Sequence, residues 1–236
     1  MSFFLKIKNV ISEKRLIKVL KKKLFPYFKG FLLIFFPNKY NIKIHVSKNN
    51  SIDKQDIPLA ERIFKSYKLT KSEQENRPSQ YKASSLWQTQ IDNDYSFLID
   101  SYKKNDVEKF LFFLQNFGNW DRYLGIENQD LVKKYSKNIF LKKFLSEEIF
   151  GGQLDLWKFF NRNQNISDLE MPMHGNQIGA FIDNKFVVIG GFSNDIYAKN
   201  LTNYLDDNKD NKIIEIGGGY GKFAYYILKK IKNFTY

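Results

Sequence analysis

Before Gly179 the apolar residues recur at helical spacing, and from there on short, β-branched strand runs alternate with helical stretches. Phe3, Phe4, Ile7, Val10 and Ile11 make one helical stripe. Leu16, Ile17, Leu20 and Leu24 make a second, rotated from the first, with Lys18 and Lys21 to Lys23 crowding the remaining surface. An apolar run from Leu24 to Phe36 follows, interrupted by Pro26 and Lys29. Polar residues 47–56 predict a linker. A helix then opens with Pro58 near its first turn and Leu59, Ile63, Phe64 and Tyr67 as its apolar side. Residues 71–80, broken by Pro78, predict a loop. Helices are expected from Asp106 to Phe117, capped by Asn105 or Asp106 and stopped by Gly118, and from Asn138 to Phe150, stopped by Gly151-Gly152. Leu154 to Phe160 predicts a further short helix. The stripe Phe110, Phe112, Phe113 and Phe117, and Trp87, Trp120 and Trp157, are expected to be core.

Residues 180–189 predict a hairpin turning at Asp183-Asn184 and ended by Gly190-Gly191. A helix is expected from Asp195 to Asp207. Lys212 to Ile216 predicts a buried parallel strand, 220–232 a helix, and Phe234 to Tyr236 the start of another strand.

Charge changes this picture at one end only. The chain carries a net +13, of which residues 1–48 hold +11 and the remainder +2. A near-neutral body argues against nucleic acid as the partner. The basic, aromatic lead has the pattern of a helix lying on an anionic membrane surface, and equally that of a helix packed on the body with solvated lysines. The run Leu24 to Phe36 is too short to cross a bilayer, and Phe36-Pro37-Asn38-Lys39 is no signal-peptidase site. Cysteine is absent, which excludes disulfides, thiolate catalysis and cysteine-based zinc sites, and suits a cytoplasmic chain. His45 and His174 are too few for a histidine-rich metal centre.

The stretch with chemical content is Ile213-Ile-Glu215-Ile-Gly217-Gly218-Gly219-Tyr-Gly221, between a predicted strand and a predicted helix. Glycines let a backbone turn tightly and approach a ligand, and the helix behind them offers free N–H groups and a partial positive charge. A dinucleotide site would need a third glycine where this chain has Lys222. The spacing E-x-G-x-G-x-G, with the acid ending the strand, resembles motif I of class I S-adenosylmethionine-dependent methyltransferases. Upstream, Ser84 to Ile91 (SSLWQTQI), Gly175 to Gly179 (GNQIG) and Tyr197-Ala198 occur in the order seen in bacterial putative sugar O-methyltransferases, although Gln177 stands where those sequences are expected to carry a proline. The resemblance covers about residues 80–236.

This likeness implies an α/β architecture with a basic lead (1–48), a mainly helical N-terminal domain (49–178), and a hairpin followed by the first βα unit of a Rossmann-like methyltransferase fold (179–236), incomplete at the C-terminus. It implies S-adenosylmethionine as cofactor, held by Glu215, Gly217, Gly218, Gly219 and Gly221 with Tyr197 beside it, and a sugar or glycan hydroxyl as acceptor. A base must take the hydroxyl proton. His174 has the chemistry, and Asp168, Glu170 and Asp195 could contact a sugar, but the sequence singles out none of them. The acid that binds ribose hydroxyls falls about 20 residues after such a glycine loop, and Tyr236 lies 17 residues after Gly219. The chain by itself is therefore expected to be inactive. The alternative is a non-catalytic remnant with a helical, membrane-surface-binding domain.

Overall fold

The computed structural model describes residues 13–36, 38–46, 52–119, 129–205, 211–215, 221–231 and 234–235. The stripe from Phe3 to Ile11, the first part of the expected linker, Trp120 and Gly217 to Gly219 lie outside them, as do the side chains of Leu16, Ile17, Leu20 and Trp87. In chain order the elements are α1 (Glu13–Ile34), β1 (Ile42–His45), α2 (Ile57–Glu75), α3 (Ser85–Asp94), α4 (Ser96–Lys104), α5 (Val107–Asn116), α6 (Gln129–Tyr135) and α7 (Ile139–Phe144). Then come α8 (Gly151–Phe160), β2 (Gly179–Ile182), β3 (Lys185–Val188), α9 (Gly191–Thr202), β4 (Asn211–Lys212), α10 (Lys222–Lys230) and β5 (Phe234–Thr235). Helices dominate, with a small antiparallel sheet in the order β1-β2-β3 and a separate β4-β5 pair.

The chain divides into two compact units, 1–44 with 131–171 and 180–236, and 45–130 with 172–179. This interleaves the segments 49–178 and 179–236 that the sequence suggested, since 131–171 belong with the hairpin and the glycine-motif helix.

In the first unit α1 lies on α7. Pro26 and Gly30 are buried at the seam, and the two backbones approach so closely that a Cβ at Gly30 would run into the carbonyl of Phe140. Phe25 and Phe31 meet Phe144 and Phe140 edge-on at 6.1 and 5.8 Å. The side chain of Asn138 starts α7 by accepting from the backbone N–H groups of Phe140 and Leu141. The predicted stop at Gly151-Gly152 does not occur. Leu145–Phe150 form a wide π-turn, and α8 continues from it with Gly151 in helical backbone geometry. A Cβ at Gly151 would make only ordinary contact with the Tyr40 ring and Ile42, which lie beside it. The π-turn keeps Leu141, Phe144 and Leu145 in step with Phe150, Leu154 and Trp157, and all six are buried.

The turn into β1 is pinned to α8. The Tyr40 hydroxyl donates to Asp155 Oδ1 at 2.5 Å, and Lys39 Nζ sits 2.7 Å from Oδ2. Hydrogen bonding to Lys39, then to Tyr40, holds the Asp155 carboxyl below its usual 3.8. A carboxyl lowered by folding stabilises the fold above its ordinary pKa, and that contribution disappears as pH falls through the folded value. Asp155→Asn is therefore expected to lower the urea midpoint at neutral pH and to make no difference once both forms are protonated. A difference that persists in strong acid refutes the link.

Asp183 and Asn184 both have positive φ, 48° and 65°, the two-residue turn the sequence anticipated between β2 and β3. Helix α9 begins at Gly191, earlier than expected, because Gly190 at φ 79° turns the chain directly into it. Strands β4 and β5 run parallel on either side of α10, with Asn211 opposite Phe234 and Lys212 opposite Thr235. The expected buried strand, Lys212 to Ile216, is shorter and less covered. Strand β4 pairs with β5 alone among the described residues, and Ile214 is 90% exposed.

The second unit is helical. Ala60 and Phe64 of α2 pack on Phe110 and Leu111 of α5. Leu59 and Ile63, expected on that face, are exposed, because Ala60 and Phe64 set the buried stripe one residue further along. Helix α2 also runs through the predicted loop as far as Glu75, its polar residues lying on a solvated surface ahead of Pro78. Asp106 caps α5 by accepting from the Lys109 N–H, while Asn105, at φ 55°, closes α4. Phe110 and Phe113 are core as expected, with Phe112 and Phe117 half-buried.

Candidate functional site

The glycine motif lies in the first unit, between β4 and α10. Of the six residues expected at the cofactor, Glu215, Gly221 and Tyr197 are described. Glu215 is half-buried after β4. Gly221 is the N-cap of α10 at φ 82°, a left-handed conformation that side chains with a Cβ tolerate poorly, and no atom of the described residues lies within 4 Å of where a Cβ would stand. The backbone thus turns into the helix through a conformation that favours glycine. Nine residues long, α10 leaves its first N–H groups without intrahelical acceptors at that end. Tyr197, on α9, is 61% exposed, its ring outside the core, while its neighbour Ala198 is fully buried.

Nothing in the local sequence foretells how firmly α10 is held. Lys222, next to Gly221, is buried, and its Nζ donates to the Ile189 carbonyl at the end of β3 at 2.8 Å. The residue that takes the place of the dinucleotide glycine is thus a brace between the loop and the hairpin. Further along α10, the buried Tyr226 hydroxyl donates to the Leu169 carbonyl at 2.8 Å, and Tyr225 donates to the Glu170 carbonyl at 3.2 Å. Lys229 Nζ donates to the carbonyls of Ser167, Asp168 and Glu170 at 2.7–3.2 Å. Burial, the largest influence on it, pushes the Lys229 ammonium below its usual pKa. Three carbonyls engage its three protons, so it caps a short turn.

Of the acids weighed for sugar contact, Asp195 is wholly buried on α9. It accepts from Trp157 Nε1 at 2.7 Å and pairs with Lys230 Nζ at 2.6 Å, so one carboxylate joins α8, α9 and α10. Asp168 accepts from the Asn165 N–H in a capping box, and the half-buried Glu170 pairs with Lys185 at 3.0 Å. All three serve the frame. Asp195 and Lys230 lie 35 residues apart on different helices, so nothing in the local sequence marks them as partners.

His174 is exposed and belongs to the second unit. The loop that carries it is fixed within that unit: Gly118 N–H donates to the Gly175 carbonyl at 2.8 Å, and Asn176 Nδ2 to Asn116 Oδ1 at 2.6 Å. Gln177, the departure from the expected proline, is buried and donates through Nε2 to the carbonyls of His174 and Pro172. Its amide constrains the loop in place of a pyrrolidine ring. The second unit also holds an open groove of about 430 Å³ between α2, α3 and α4, where Lys71, Lys82 and Lys103 face Glu75 and Asp92. Among the described residues no three His, Asp or Glu side chains converge as metal ligands, and no helix is long and apolar enough to cross a membrane.

Comparison with family models, curated proteins and solved structures finds no match to the chain.

Proposed function

We propose that the chain acts in S-adenosylmethionine-dependent O-methylation of a sugar or glycan hydroxyl in the cytoplasm, at a membrane surface. The observation that carries this reading is the unit β4–glycine loop–α10–β5. Two parallel strands flank a helix entered through a left-handed glycine, and Glu215 ends the stretch that precedes the loop. A parallel strand–helix–strand unit with a glycine turn after its first strand is the building block of Rossmann-like folds. The acid in E-x-G-x-G-x-G favours adenosylmethionine over a dinucleotide. The residues fit that group: the N-terminal turn and positive end of α10 would favour an acceptor there, and no described atom crowds the position of a Cβ at Gly221. When bound, the cofactor would supply an electrophilic methyl group on a sulfonium.

The chain's own contribution is placement. Glu215 would accept from the cofactor's polar hydrogens, the loop glycines would let backbone lie against it, and Lys222, Tyr225 and Tyr226 hold the helix that supports the loop. Ultraviolet cross-linking of labelled S-adenosylmethionine, mapped by mass spectrometry, tests this. Label is expected in the peptide spanning Ile213 to Lys222 and is expected to vanish in Gly219→Val, where a side chain enters the ligand's path. Label found elsewhere, or retained by the variant, would falsify the assignment.

A further inference from the structure

Along its described side chains, from Lys21 on, helix α1 leaves most of its apolar surface in water. Pro26 and Gly30 are buried against α7, with Lys29 and Leu33 half-buried beside them. Leu24, Phe28 and Phe35 lie on the opposite side, and Phe31, 45% exposed, borders them while its other edge meets Phe140. Phe28 is 62% exposed and Phe35 71%, and Tyr27, Ile34 and Phe36 extend the surface. An apolar patch of this extent marks a surface that docks on something. Three exposed lysines, Lys21 to Lys23, stand at its N-terminal end.

Charge selects the occupant. A second copy laid on this surface would bring together two segments of net +11 each, whereas an anionic bilayer neutralises them. Being amphipathic, basic and unable to span, the helix fits the interfacial plane. We infer that α1 lies flat in the surface of a membrane rich in anionic phospholipid. Leu24, Phe28 and Phe35 sit at the acyl boundary, Lys21 to Lys23 among the headgroups, and the first unit hangs from the Pro26–Gly30 seam. The inference is independent of the methyltransferase reading, because its test measures partition and not cofactor binding.

The test is co-sedimentation of the whole chain with phosphatidylcholine vesicles, with and without phosphatidylserine. Binding is expected on the serine-containing vesicles and should fall steeply with salt. Phe28→Ser and Phe35→Ser are each expected to weaken it about tenfold, and each Lys→Gln change at 21–23 about fivefold, on anionic vesicles only. These side chains are exposed, so the variants should keep the parent's urea midpoint. Equal binding to neutral vesicles, partition unchanged in Phe28→Ser and Phe35→Ser, or a lipid-free dimer that Phe28→Ser dissociates would each overturn the inference.

Discussion

Asp195→Ala is expected to destabilise the first unit by about 3–5 kcal/mol, the cost of breaking a buried ion pair from one side. The substitution strands the Lys230 ammonium, whose side chain is only 14% exposed, and deprives Trp157 Nε1 of its acceptor. Two buried polar groups lose their partner at once, and α8, α9 and α10 lose their common point of attachment. A companion variant separates the charge penalty from simple loss of packing. Asp195→Leu combined with Lys230→Met removes both charges and is expected to recover more than half of the loss, since an apolar replacement of a buried pair is often nearly neutral. Denaturation midpoints followed by tryptophan fluorescence measure both. A single variant within about 1 kcal/mol of the parent, smaller than ordinary core substitutions, would refute the keystone role of Asp195.

Gly30→Val is expected to detach α1 from α7. The atom in the way is a backbone oxygen, that of Phe140, so no side-chain rotation relieves the collision and one helix must move. Overpacking of this kind costs about 1–3 kcal/mol, and a clash with backbone places Gly30 at the upper end. Limited trypsin digestion gives a direct readout. Cleavage after Lys29, whose ammonium pairs with Glu148 at 3.4 Å, should accelerate severalfold. Unchanged digestion would mean that the close approach is not needed to hold the helix.

Local signals foretold what local chemistry decides. Asp183-Asn184 adopts the two positive φ values its hairpin requires, Asp106 and Asn138 cap the helices they precede, and Phe110 and Phe113 are core. Readings that depended on neighbours distant in sequence failed. Gly151 resembled a helix stop, but its backbone is helical, and the neighbours it packs beside, Tyr40 and Ile42, lie more than a hundred residues away. The stretch Lys212 to Ile216 resembled a buried strand because its composition suits one, yet burial also needs strands on both sides and a covering layer. For the site the same division holds. The glycine spacing and the turn at Gly221 were legible, while the brace from Lys222 to Ile189 and the junction at Asp195 arise only when separate elements meet.

The π-turn at Leu145–Phe150 gives the long helix an uneven tolerance for changes of length. Leu145 and Phe150 are five residues apart and share a face only because the turn is wide. Removing one residue from its solvent side, such as Glu148, would leave those two four apart, the ordinary α-helical spacing, with Leu154 and Trp157 still pointing inward. Adding one would have no such outlet, since the turn already holds its surplus residue, and Trp157 would swing away from Asp195. Natural variation in this helix should therefore run to shorter forms and not to longer ones.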